Sequence, residues 1–145
     1  MTVPSKEQLK QWADNYIALW NAGDKEAWAR NWRSVGPGEF RMLDPVGTPE
    51  KVGFENCCLK PFDLWQPNVK FKIVEGLFFI CANEVVWVLE NHIDMGGGET
   101  QVGLSIETYR FEPDGSVTIR TYYDVPERTD DVLGNLFKEY LPEDG

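Results

Sequence analysis

Two hydrophobic periods divide the chain. Up to about residue 60 the apolar side chains recur at helical spacing, and from residue 69 they alternate with polar ones. Ser5 with Gln8 three residues on reads as a capping box, after which Leu9, Trp12, Ala13, Tyr16, Ile17 and Trp20 share one helical face. Asn21-Ala22-Gly23 predicts the end of that helix, with Gly23 free to take the left-handed conformation of a C′ residue. Asp24 suits the N-cap of a second helix to about Trp32, facing inward through Ala27, Trp28 and Trp32. Gly36-Pro37-Gly38 breaks it. A short strand is predicted over 40–44, and Pro45 biases Asp44 toward an extended backbone. A third helix is predicted over about 49–60, ended by Pro61.

The alternating half predicts strands over 69–75, 77–81, 85–95, 100–111 and 117–124. Gly96-Gly97-Gly98 and Pro113-Asp114-Gly115 read as hairpin turns. Thr129 is placed to cap a short final helix with Val132, Leu133, Leu136, Phe137 and Tyr140 on its apolar face. Helices followed by an antiparallel meander make an α+β domain, expected as one unit over 1–145.

Composition narrows the function. The 145 residues carry 14 Lys and Arg against 24 Asp and Glu, a net charge of −10. Such a chain lacks the clustered cations that displace counterions from nucleic-acid phosphates, or that hold an anionic membrane. Hydrophobic residues at 42% and aromatics at 13% describe a folding chain and not an acidic tail. Six tryptophans either fill a core or line an apolar pocket. No signal sequence or spanning segment is read, so a cytoplasmic protein is expected, with Cys57, Cys58 and Cys81 as reduced thiols. With a single His and no Cys-x-x-Cys, no metal is expected, and no phosphate-binding glycine loop calls for a cofactor.

Few residues remain as candidates for chemistry. Period-2 logic over 85–94 turns Val85, Trp87, Leu89, Asn91 and Ile93 inward, and His92 outward with Glu90 and Asp94. Asn91 on that inner face is either a structural hydrogen-bonding group or a polar group inside a pocket. Glu107 shares a face with Tyr109 and Phe111, where desolvation raises a carboxyl pKa; the alternative is an ion pair across the sheet, with Arg120. Tyr16 on the first helix reads by default as a core tyrosine, and Asp44 before Pro45 as a turn former.

Three segments, in order, resemble the ketosteroid isomerase branch of the NTF2-like (SnoaL-like) superfamily. They are Tyr16-Ile-Ala-Leu-Trp-Asn-Ala-Gly-Asp24, Asp44-Pro45-Val46-Gly47, and Ala82-Asn83-Glu84 with Ile106-Glu107-Thr108-Tyr109-Arg110-Phe111. The resemblance covers about residues 9–124. It implies a cone of N-terminal helices on the concave face of a curved antiparallel sheet. It also implies cofactor-free acid–base catalysis on a small hydrophobic ketone, with a double-bond shift. In that scheme Asp44 is the general base, Tyr16 donates to the enolate oxygen, and Glu107 stands where the family has a protonated Asp. Trp20, Trp32, Trp65, Trp87, Leu89, Asn91, Arg120 and Tyr122 are then the expected substrate-binding set. Glu107 is one methylene longer than that Asp, and Trp20, Trp32 and Trp87 are bulkier than the family's usual side chains, which suggests a substrate other than a steroid. Two further readings come from the same superfamily. One is a limonene-epoxide-hydrolase-like enzyme, because Ile119-Arg120-Thr121-Tyr122-Tyr123-Asp124 resembles that group's closing strand. The other is a binding module without chemistry. A homodimer is expected through the outer sheet face, where Leu104 and Ile106 would be covered.

Overall fold

The computed structural model describes residues 2–125, 131–138 and 140. Helix α1 runs Lys6–Ala22 and opens on the capping box: the Gln8 backbone N–H donates to the Ser5 hydroxyl and the Ser5 N–H to the Gln8 side chain. It closes on Gly23 in the left-handed region, φ +73°. Asp24 then caps α2, Lys25–Val35, through the Ala27 N–H. These two helices bring Trp12 and Trp32 within 4.8 Å centroid to centroid, and Trp12 stacks on Trp87 of the sheet at 5.5 Å. Each of these three rings is at most 1% exposed. Much of the tryptophan excess is therefore core.

Strand β1 (Phe40–Leu43) and the two-residue β2 (Lys51–Val52) lead to a π-helical turn, Glu55–Leu59, and to α3, Lys60–Trp65. This corrects the expected helix over 49–60: only its last part is helical, and Pro61 does not end it. Proline lacks an amide N–H, and the first turn of a helix needs none. The wider π turn, closed by the Lys60 N–H on the Glu55 carbonyl, sets Pro61 at the start of α3.

Among the described residues the sheet has six strands in the order β2-β1-β6-β5-β4-β3, with β3 as Val69–Cys81, β4 as Glu84–Gly96, β5 as Glu99–Phe111 and β6 as Val117–Tyr122. It is mixed and not wholly antiparallel, because β1 runs parallel to β6. The expected strands over 69–75 and 77–81 are one. Between the pairs Ile73–Leu89 and Phe78–Trp87, the residues Val74 to Leu77 face Val88 alone, and Gly76 takes φ +80° in the irregularity. The odd insertion switches parity, so Phe71 and Ile73 pack inward before it and Phe78 and Ile80 after it. At this edge strand the Asn21 amide exchanges two hydrogen bonds of 2.8 Å with the backbone of Phe71.

Helix α4, Val132–Phe137, packs Leu136 against Val69 and Ile93, and its N-cap is Asp131. The expected cap, Thr129, lies outside the described residues. Among the described residues no helix is long and apolar enough to cross a membrane.

Candidate active site

Between the helices and the inner face of the sheet lies a cavity of about 230 Å³. Three sequence segments place carboxyl and hydroxyl groups on its wall. Tyr16 comes from the third turn of α1, on the face already committed to the core, and is 7% exposed. Asp44 follows β1 at a turn closed by Thr48, whose N–H and hydroxyl both donate to the Pro45 carbonyl, at 3.2 and 2.7 Å. The Val46 N–H donates to the Thr121 carbonyl at 3.0 Å, pinning this turn to β6. The half-buried Asp44 faces the cavity as a result.

Glu107 comes from the middle of β5, on the inner face with Ser105 and Tyr109. Its carboxyl is an acceptor for three donors. The Trp87 indole N–H and the Tyr109 hydroxyl donate to Oε1, the former at 3.0 Å, and the Ser105 hydroxyl to Oε2 at 3.2 Å. Asn91 donates to Ser105 Oγ at 2.9 Å and to the Gly103 carbonyl at 3.1 Å. Asn91 is thus both things weighed for it, a structural hydrogen-bonding group and part of the cavity wall. The Tyr16 hydroxyl lies beside that of Tyr109, so α1 joins the same set.

Among the expected binding residues, Trp20, Trp32, Trp65 and Asn91 line the cavity. Trp87 and Leu89 do not: both are 0% exposed core residues, though Trp87 reaches the site through Glu107. Arg120 and Tyr122 are corrections. Along β6 the buried residues are Val117, Ile119 and Thr121, so alternation turns Arg120 and Tyr122 to the outer face. Arg120 therefore does not pair with Glu107, whose cross-strand neighbour is Thr121. The same alternation carries Tyr123 inward to the cavity, a residue the sequence reading missed. Trp28, Met42, Cys58 and Tyr109 were also missed as lining. His92 lies on the outer side as expected, 2.9 Å from Glu90.

Burial raises both Asp44 and Glu107. Burial, reinforced by the negative charge of Glu107, raises Asp44 to about 7, and Lys51 and the nearby Tyr123 hydroxyl act the other way. Glu107 is also raised by burial, while its Tyr109, Trp87 and Ser105 donors pull it back down. Burial, then the charge of Glu107, holds the Tyr16 phenol well above its ordinary range, so it stays a neutral donor. Burial pushes the Cys57 thiol up to about 12 and Cys58 upward as well, so neither is a ready nucleophile. No Lys, Arg or His side chain lines the cavity among the described residues. Among the same residues no three His, Cys, Asp or Glu side chains converge as a metal site would require.

No family model matches the sequence, and no curated protein matches it significantly. Solved structures match in shape. A Mycobacterium tuberculosis protein in complex with estradiol-17β-hemisuccinate gives a TM-score of 0.62 at 20% identity, over 81% of this chain and 95% of that one. A SnoaL-like protein of unknown function from Burkholderia thailandensis gives 0.59 at 18%, over 83% and 98%. The Δ5-3-ketosteroid isomerase from Mycobacterium sp. gives 0.57 at 18%, over 81% and 93%. At these identities the likeness is one of fold: this chain has the α+β fold of the NTF2-like (SnoaL-like) superfamily.

Proposed function

We propose that this chain is a cofactor-independent acid–base enzyme. It takes a proton from the carbon beside the carbonyl of a small apolar ketone and returns it elsewhere on the conjugated system. The observation that carries this reading is Asp44. Its carboxyl sits on the wall of a cavity lined largely by apolar and aromatic side chains, beside a second acid, and burial raises it to about 7. A base matched to neutral pH is what proton abstraction from carbon needs, and a well-placed one contributes about 10²–10⁴ in rate.

The steps balance without a co-reactant. The Asp44 carboxylate takes the α-proton, and the electron pair of the broken C–H bond moves into an enolate. The oxygen gains negative charge and accepts a hydrogen bond from the neutral Tyr16 hydroxyl, a contribution of about 10²–10³ for one good donor. The protonated Asp44 then gives its proton to the far carbon of the dienolate, which shifts the double bond and restores the carboxylate. Glu107, as an acceptor of three hydrogen bonds, holds Tyr109 beside Tyr16. This changes the role implied for it by resemblance: donation to the oxyanion falls to Tyr16, and Glu107 positions the donor.

The ketosteroid isomerase and the estradiol-hemisuccinate complex share this fold, so a steroid ketone is the natural first probe. A limonene-epoxide-hydrolase-like mechanism needs Arg120 and a second acid around one water, and the outer-face position of Arg120 does not favour it. A binding module needs no base, and the cavity-facing Asp44 speaks for chemistry. The protein is proposed to act as a homodimer. The test is conjugation of a Δ5-3-ketosteroid followed by ultraviolet absorbance, wild type beside Asp44→Asn. Turnover that the substitution abolishes supports the reading. Absence of turnover in the wild type overturns the steroid-like substrate, and turnover that survives the substitution overturns Asp44 as base.

A further inference from the structure

Among the described residues four buried polar side-chain atoms lack a hydrogen-bond partner, the indole N–H groups of Trp12, Trp28 and Trp32 and the Tyr123 hydroxyl, and the hydroxyl is the one beside Asp44. The Tyr123 hydroxyl is enclosed on the cavity wall and makes no properly aligned hydrogen bond. A buried hydroxyl without a partner is costly, and native structures rarely keep one without a use. Its neighbour is Asp44, close enough for the two groups to perturb each other's titration. The main chain explains the proximity: the Val46 N–H to Thr121 carbonyl bond ties the turn carrying Asp44 to the strand end carrying Tyr123. The Phe137 ring, 5.4 Å from that of Tyr123, covers the phenol from the side of α4.

We propose that Tyr123 is a positioning residue for the base, its hydroxyl closing onto Asp44 when that carboxyl loses its proton and opening when the proton returns. The inference rests on the reading of Asp44 as general base. A hydroxyl can rotate its O–H bond toward an acceptor as the charge appears, without backbone motion. A hydrogen bond to the ionised form favours that form, so Tyr123 opposes the two influences that keep Asp44 neutral, burial and Glu107. Several other groups face this pair. Glu107 approaches from β5, Lys51 from β2 and Tyr16 from α1, while Tyr140 acts on Tyr123, and Asp124 lines the same cavity. Lys51, its ammonium 4.2 Å above the Tyr140 ring, is the cation among them that favours the Asp44 carboxylate. Tyr123 adds a hydrogen-bond donor to that side of the balance.

The test is Tyr123→Phe, which deletes the hydroxyl and keeps the ring. The Asp44 carboxyl is titrated by carbon-13 NMR in the substrate-free protein, with its signal assigned by Asp44→Asn. Loss of the hydroxyl is expected to raise the midpoint by about one pH unit, the scale of a single hydrogen bond to a charged group. Where the Δ5-3-ketosteroid is turned over, the acid limb of the rate profile shifts upward by the same amount. The rate at pH 6 then falls about tenfold, and the alkaline plateau changes little. A purely structural tyrosine would lower the rate at all pH values alike and leave the titration where it was. An unmoved or lowered midpoint overturns the proposal. Turnover by Asp44→Asn overturns the base reading instead, whatever Tyr123→Phe does, so the two failures are separable.

Discussion

Asp44 and Glu107 show how one cavity sets two carboxyls to different tasks. Glu107 accepts hydrogen bonds from a tyrosine, a tryptophan and a serine, which supports its charge. Asp44 has Lys51 and an unaligned Tyr123 hydroxyl against burial and a neighbouring acid, and its midpoint rises to about 7. That shift costs stability. A carboxyl raised in the folded state contributes fully below its unfolded pKa, near 4, and its contribution is lost as pH climbs through 7. Asp44→Asn is therefore expected to raise the melting temperature at pH 8 and to change it little at pH 4.5, as calorimetry at the two pH values would show. A larger gain at pH 4.5 would contradict the raised midpoint. The residue types of this site were legible in the motifs around Tyr16, Asp44 and Glu107. Their partners were not, because Trp87 and Ser105 meet Glu107 only through strand pairing and a shared face. Tyr123 had a signal that went unused: Val117 and Ile119 mark the odd face of β6 as inward, and its polarity drew attention to Arg120 on the other.

At the level of elements, side-chain alternation and capping residues were enough to place α1, α2, β4 and β5. The misread segments are those where a local rule gives way to the structure on either side of it. Pro61 stops a helix only where its missing N–H is needed, and at the seam of a π turn it is not. Gly76 resembles a strand break, yet the pairing of β3 with β4 resumes beyond it in the opposite parity. The parallel pairing of β1 with β6 joins segments some 77 residues apart (Phe40 with Val117), and no local pattern encodes that contact. One element junction carries a clear energetic expectation. The Asn21 amide supplies both a donor and an acceptor to Phe71 on the edge strand, mimicking a further strand there. Asn21→Ala removes both bonds, leaves the edge groups to find water, and is expected to cost about 1–3 kcal/mol in urea unfolding. A loss under a few tenths would show that solvent replaces the amide fully.

Among the described residues apolar side chains line the cavity and also crowd the outer sheet face. On the outer sheet face Val102, Leu104 and Ile106 of β5 are 55%, 60% and 46% exposed, with Tyr122 of β6 directly opposite Ile106 and Phe79 of β3 further along. A row of large apolar side chains on a sheet face marks an interaction surface. The proposed homodimer uses it, so Leu104→Asp is expected to convert a dimer to a monomer in analytical ultracentrifugation; a wild type that sediments as a monomer would contradict the assignment. The net charge of −10 counts every acid, three of which, Asp44, Glu107 and Asp124, line the cavity, and Asp44 among them is proposed to move a proton at carbon. The most direct measurement is loss of deuterium from the carbon between the carbonyl and the double bond of a Δ5-3-ketosteroid labelled there, read by NMR. The wild type is expected to remove that deuterium at a rate that rises with pH through about 7, and Asp44→Asn to remove none above the buffer rate. Equal loss by the two proteins, or none by the wild type, would contradict Asp44 as the base.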